Sequence, residues 1–273
     1  MARDFTGTDL QCSTGPFWAF ALEAALDAVA EAGFSAVELM VTRDVITQEP
    51  EHVGRLTSER GLRVAAVHAP FLVLTRAVWG FDPITKTLRG AEMCKALGAA
   101  TLIVHPPLAW EQRYARWLAS DDANRDGVTI AVENMYPKWI AGRALRGYRW
   151  TNPRDLGAAA HHVALDLSHL AVARHDVLAA YALLRPKLAH IHLSNNAGNG
   201  RDDHLPLDAG VLPVDRLLAE MARTHYSGGV SLELSVHRYL ERPKDLVGLL
   251  RRNREYVAGR WSSPDHSIKE LGS

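Results

Sequence analysis

The residues able to do chemistry in this chain fall at one recurring place, the end of a short apolar run. His68 closes VAAVHAP, His105 closes TLIVHPP, and Glu133 closes VTIAVENM. Asp166 and His169 follow in VALDLSH, His192 in HIHLSN, Glu233 in VSLELS, and Glu38 holds a similar place in SAVELM. A lone imidazole or carboxylate after an apolar run is usually a hydrogen-bonded structural group. So many together are hard to explain by packing, because buried ionised groups are costly unless they are paired or hold a metal. Divalent metal binding is the direct inference. Imidazole and carboxylate donors without a thiolate suit zinc, manganese, cobalt or magnesium, and donor type alone does not choose among them.

Further candidates lie in the loop NNAGNGRDDHLPLDAG, with Asp202, Asp203, His204 and Asp208. Its Gly and Asn residues serve turns, while the Asp-x-His spacing of Asp202 and His204 on the same loop as His192 could complete the site. His190, two residues before His192, is expected to face the other side of the sheet and to be structural.

The elements that must position these groups are strands in parallel βα units. Short β-rich runs alternate with stretches of helical period, about eight times in all. The expected strands are Asp9–Cys12, Ala36–Met40, Leu62–Val67, Ala100–Val104, Val128–Val132, Val163–Leu165, Leu188–Ile191 and Gly229–Leu232. Between them AFALEAALDAVAEAGF and TKTLRGAEMCKALGA carry helical spacing, and further helices are expected from Pro213 to Arg223 and from Pro243 to Val257. Eight such units match one closed (β/α)8 TIM barrel, an α/β fold with its chemistry at the C-terminal ends of the strands. The barrel is expected over about residues 8–258 of a single domain spanning 1–273, followed by a polar tail from Gly259. The stretch from Tyr136 to Asn152, rich in Arg, Trp and Gly, is long for a βα connection and is expected to form a lid that includes Trp139 and Arg143.

Composition narrows the function further. The 273 residues carry 31 Lys plus Arg against 31 Asp plus Glu, so no whole-molecule field draws the chain to nucleic acid or acidic membrane. An apolar fraction of 47% excludes a disordered chain, and no stretch reaches the roughly 18 to 20 apolar residues of a membrane span. A cytoplasmic location is expected, with Cys12 and Cys94 as buried free thiols.

The phrases EAGFSAVEL, HAPF, LGAATLIVHP, VENM, LDLSH, HIHLSN, DDHLPLDAG and SLELS, in this order, resemble the xylose isomerase-like TIM barrels, which group sugar-phosphate isomerases and epimerases with endonuclease IV. The resemblance runs from about Leu10 to Val257. It implies one divalent metal, manganese, cobalt, magnesium or zinc, held by Glu133, Asp166, His192 and Glu233. It further implies proton transfer next to a substrate carbonyl by Glu133 and Glu233, with His169 orienting substrate or ligand. The substrate would be a small-molecule sugar, sugar phosphate or cyclitol, and family members are often homo-oligomers. Two departures count against a familiar ketose 3-epimerase: Trp139 stands where several epimerases have a second acid, and His204 where many have Arg. The alternative implied by endonuclease IV is a site for three zinc ions acting on abasic DNA. It would add His68, His105, His169, Asp202 and His204 to the four ligands. Against it, the sequence has no concentrated Lys/Arg stripe near the strand ends beyond the loop of Arg143, Arg146 and Arg149, whereas a duplex binder needs several phosphate contacts. Under the one-metal reading His68 and His105 contact substrate instead.

Overall fold

The computed structural model describes residues 10–124, 127–140, 143–145 and 147–261. Eight parallel strands close into a barrel: β1 (Leu10–Ser13), β2 (Ala36–Met40), β3 (Arg63–His68), β4 (Thr101–Val104), β5 (Thr129–Glu133), then β8 (His162–Asp166), β9 (Leu188–Leu193) and β10 (Gly229–Leu232). The neighbour order β1-β10-β9-β8-β5-β4-β3-β2 follows the chain around the ring, the right-handed βαβ solution for consecutive parallel units. The expected strands all form. Several extend further toward their C-terminal ends, so that His68, Glu133 and Asp166 are the last residues of their strands.

Helices α1 (Leu22–Glu31), α2 (Pro50–Ser58), α3 (Pro83–Leu97), α4 (Gln112–Leu118), α5 (Pro153–Ala159), α6 (Leu167–Ala173), α7 (Val177–Leu184), α8 (Val214–Arg223) and α9 (Pro243–Trp261) alternate with the strands. The starts of α3, α5, α6 and α7 are set by short polar side chains: Asp82, Asn152, Asp166 and Asp176 each accept a hydrogen bond from a first-turn amide. Cys12 and Cys94 are free and buried, as expected.

Period-two alternation explains how the barrel builds its mouth. Ala66, Ile103, Ala131 and Ala164 form a small apolar layer inside the barrel. His68, His105, Glu133 and Asp166 each stand two residues further along the same chain segments, so they point the same way, one layer up. On the other side of the ring His190 and Ser231 occupy the lower layer, two residues before His192 and Glu233. Residues two apart on a strand share a face, which corrects the expectation that His190 and His192 oppose one another. Both Nε2 atoms lie within 3.0 Å of Glu38 Oε2.

The expected lid is not simply a loop. It contains an antiparallel hairpin of β6 (Lys138–Ile140) and β7 (Arg143–Leu145), with Trp139 opposite Ala144 and Ile140 opposite Arg143. An isolated bridge between Leu108 and Tyr148 ties this segment to the loop after β4. The side chains of Trp139 and Arg143, and the whole of Arg146, lie outside the described residues. No helix among the described residues is long and apolar enough to cross a membrane.

Candidate metal centre

Glu133, Asp166, His192 and Glu233 each bring one donor atom to a common point, with all four atoms within 4.8 Å of one another. His192 Nδ1 lies 2.8 Å from Glu133 Oε1, 3.0 Å from Glu233 Oε2 and 3.6 Å from Asp166 Oδ2. Register places Asp166 directly beside His192, and Glu233 follows two residues after Ser231, the partner of His192 on β10. Three of the four are fully buried, and Glu233 is the one that opens to the mouth, its side chain 13% exposed.

Two further clusters adjoin this one. His68 and His105 place their Nε2 atoms 3.4 and 3.3 Å from Glu133 Oε2. His169 Nε2 lies 3.3 Å from Asp202 Oδ2, and His204 Nε2 lies 3.1 Å from Asp202 Oδ1; Asp166 completes the group. Glu133 therefore turns one oxygen to each of two clusters. Asp166 stands between the first and the third. His68, His105, Glu133, Asp166, His169, His192, Asp202, His204 and Glu233 are thus brought together. Asp203 and Asp208 are not: Asp203 accepts from Ala197 N, and Asp208 lines a separate surface hollow.

The residues fit a divalent ion on two observations. Asp166 Oδ1 is taken by the His169 amide at 2.6 Å, while its Oδ2, aimed into the cluster, is buried without a hydrogen-bond partner. Such an orphaned acceptor is costly unless a cation meets it. Second, the imidazoles are oriented from behind, as metal-binding histidines are. His68 Nδ1 donates to Ala69 O at 3.0 Å, His169 Nδ1 to Asn134 O at 2.9 Å, and His204 Nδ1 to Glu233 O at 3.1 Å. His192 Nε2 donates to Glu38 Oε2 at 3.0 Å. In each case the other ring nitrogen faces carboxylate oxygens.

Glu38 is the group the sequence noted without giving it a role. It is wholly buried, and besides the two imidazoles it accepts from Ser13 Oγ at 3.0 Å and Ser231 Oγ at 2.8 Å. Also missed were Tyr136, whose hydroxyl donates to Asp202 Oδ2 and whose ring meets His169, and Tyr148, whose hydroxyl is 3.5 Å from His105 Nδ1. Both follow Glu133 in the lid segment, where no spacing rule marks a tyrosine.

Charge is distributed accordingly. Burial alone would push Glu133 up, but the imidazoles of His169 and His192 hold it well below the usual carboxylate range. Glu38 is likewise held down, against burial, by His192 and His190. Against the opposing effect of burial, His192 is raised by Glu38, Glu233 and Glu133, and His169 by Asp166, Asp202 and Glu133. His204 is raised to about 10 by Asp166 and Asp202. Burial drops His105 to about 3, leaving a neutral imidazole with a lone pair to offer.

Comparison with known proteins agrees with this architecture. A protein of Mycobacterium leprae, itself uncharacterised, is 32% identical over 273 aligned positions, covering 90% of this chain and 96% of that one. Among solved structures, the IolI protein with a bound zinc atom superposes with a TM-score of 0.71 at 15% identity, covering 93% of this chain and 99% of that one. D-allulose 3-epimerase from Methylomonas sp. gives 0.65 at 16% identity, covering 93% and 98%. At these identities the structures speak for the fold. Other neighbours are named as an epimerase-like protein and a probable 3-DHS dehydratase. The model of the xylose isomerase-like TIM barrel family matches residues 26–256, and with the closed eight-stranded barrel this places the chain in that family.

Proposed function

We propose that the protein is a divalent-metal-dependent isomerase or epimerase of a sugar or polyol, moving a proton on a carbon next to a carbonyl. The observation that carries this reading is the convergence of Glu133 Oε1 and Glu233 Oε2 on His192 Nδ1, at 2.8 and 3.0 Å, beside the unpartnered Asp166 Oδ2. Glu133, Asp166, His192 and Glu233 would hold the ion, which would supply a Lewis acid to polarise a carbonyl and its neighbouring hydroxyl. The protein's own groups do the rest. Glu233, the carboxylate partly open to the mouth, takes the proton from the substrate carbon and passes it on to solvent, and Glu133, after taking up a proton in turn, returns one from the opposite side or the same side according to the reaction. His68 and His105 hold substrate hydroxyls through Nε2. His169, pinned by Asn134 O, fixes the substrate's far side, and Tyr136 and Tyr148 close over the site from the lid and exclude water. A lyase that begins with the same proton removal uses the same groups, and one structural neighbour carries a dehydratase name.

A second reading is favoured by one specific feature: Glu133 and Asp166 stand between adjoining clusters, the arrangement of carboxylates that bridge ions. It is a three-zinc phosphodiesterase acting on abasic DNA, with His68, His105, His169, Asp202 and His204 as further ligands. Against it stands the rim of the mouth, where Trp18, Leu72, Leu74 and Trp110 are 62%, 41%, 59% and 68% exposed, and a sequence without a Lys/Arg stripe near the strand ends beyond the loop of Arg143, Arg146 and Arg149. The test is metal content of protein purified without chelator, followed by solvent-deuterium exchange into ketoses, inososes and ketose phosphates. One ion per chain with exchange into any substrate supports the isomerase. Three zinc ions per chain, with nicking of abasic DNA and no exchange, would replace it.

A further inference from the structure

Beside the candidate metal centre lies a cavity of about 510 Å³ that neither the ligand set nor the lid accounts for. It is built from the segments that follow β1, β2 and β3, so it opens on the same end of the barrel as the clusters. Phe17, Trp18, Phe20, Met40, Leu72 and Leu74 form its large apolar lining. The partition from the metal centre is thin: a Cβ placed on Gly15 would sit 3.0 Å from Met40 Cε and 3.4 Å from Glu233 Oε1. The volume is that of a pocket for a whole small molecule.

The threonines and Asp44 of the wall are already engaged, and among the described residues Arg43 is the one charged side chain exposed beside them. Thr14 Oγ1 accepts from Met40 N at 2.8 Å, Thr47 Oγ1 donates to Asp44 O at 2.6 Å, and Thr75 Oγ1 donates to Leu72 O at 3.1 Å. Asp44 Oδ1 accepts from Ile46 N. A sugar hydroxyl placed against buried Phe17 finds no side-chain partner, and a buried hydroxyl without a partner is disfavoured. The wall is also firmly held. Buried Lys86 donates to Pro70 O at 2.7 Å, Arg76 O at 2.8 Å and Thr75 O at 3.3 Å, clamping the segment that carries Leu72 and Leu74. Trp18, Leu72 and Leu74 remain open to solvent at its edge, so the cavity is reached from outside past apolar side chains.

We propose that this cavity receives an apolar group, an aromatic ring or alkyl chain, carried by the hydroxycarbonyl substrate beyond its reacting carbons. The inference rests on the reading of Glu133 and Glu233 as the proton-transfer pair, because it is Glu233 that the cavity adjoins. It narrows the substrate class from a fully hydroxylated sugar to a hydroxyketone with a hydrophobic substituent.

Two probes share a hydroxyketone head: D-fructose, with a polyol tail, and 1-hydroxy-4-phenylbutan-2-one, with a phenyl tail. Calorimetric titration of the metal-loaded protein reads their binding, and NMR in deuterium oxide reads exchange at the carbon next to the carbonyl. The phenyl probe is expected to bind roughly 10–100-fold more tightly, the range an apolar pocket achieves between such groups. Leu72→Asp, on a partly exposed side chain outside the proton-transfer pair, is expected to remove most of that advantage while leaving fructose binding unchanged. Equal binding of the two probes, or a preference that Leu72→Asp does not alter, overturns the cavity assignment. Tight, Leu72-dependent binding of the phenyl probe without exchange upholds the cavity and overturns the proton-transfer reading instead.

Discussion

Glu38 and His192 stand 154 residues apart in the chain and 3.0 Å apart in the barrel, with Glu38 Oε2 accepting from His192 Nε2. That bond fixes which nitrogen of His192 meets Glu133, Asp166 and Glu233. Carboxylates placed behind metal-binding imidazoles set ring orientation and basicity. Glu38→Gln is therefore expected to weaken metal binding about 10–100-fold while the far-ultraviolet circular dichroism stays unchanged. Unchanged affinity in a metal titration would show that the buried network does not orient His192.

Glu133→Gln and Glu233→Gln remove one carboxylate each from the pair proposed to flank the substrate carbon. Each is expected to lower turnover by about 10²–10⁴-fold, the range for a positioned general acid or base. Retained activity in either, measured with metal at saturation, excludes that residue from proton transfer.

His68 and His105 separate one ion from three. If they contact substrate, His68→Ala and His105→Ala leave metal content per chain as it was and raise KM. If they bind an ion, each variant loses one metal per chain by elemental mass spectrometry.

Metal binding should strengthen with rising pH. In the protein without its ion, the carboxylates raise His192, His169 and His204, so these groups carry protons at neutral pH that an ion must displace. Lowering the pH supplies more of the competing proton, and raising it toward the raised values removes that competition. Calorimetry in buffers of different ionisation enthalpy is expected to show proton release on metal binding, and affinity at pH 8 above that at pH 6. A pH-independent affinity without proton release would contradict the charge states assigned to these imidazoles.

Lys86→Met leaves the carbonyls of Pro70, Thr75 and Arg76 without their buried donor. Because an unpaired buried acceptor retains its desolvation cost, stability is expected to fall by about 2–4 kcal/mol, read from denaturant unfolding.

The residues of the candidate centre could be picked out because a strand's period is local. In A-x-E of β5 and A-x-D of β8, a small interior residue is followed two positions later by a carboxylate, and apolar runs of the right length announce the strands themselves. The alternation of eight such runs with helical stretches was enough to name the closed barrel, and the order of the strand-end phrases to name its family. The same rule, misapplied, set His190 against His192, although residues two apart share a face. What the sequence could not carry was the meeting of groups from distant strands. The sharing of Glu133 between His68, His105 and His192, the gathering of two imidazoles and two serines on Glu38, and the cavity between the segments after β1, β2 and β3 all depend on how the ring closes. Local periodicity decides which way a side chain points, and only barrel closure decides what it finds there.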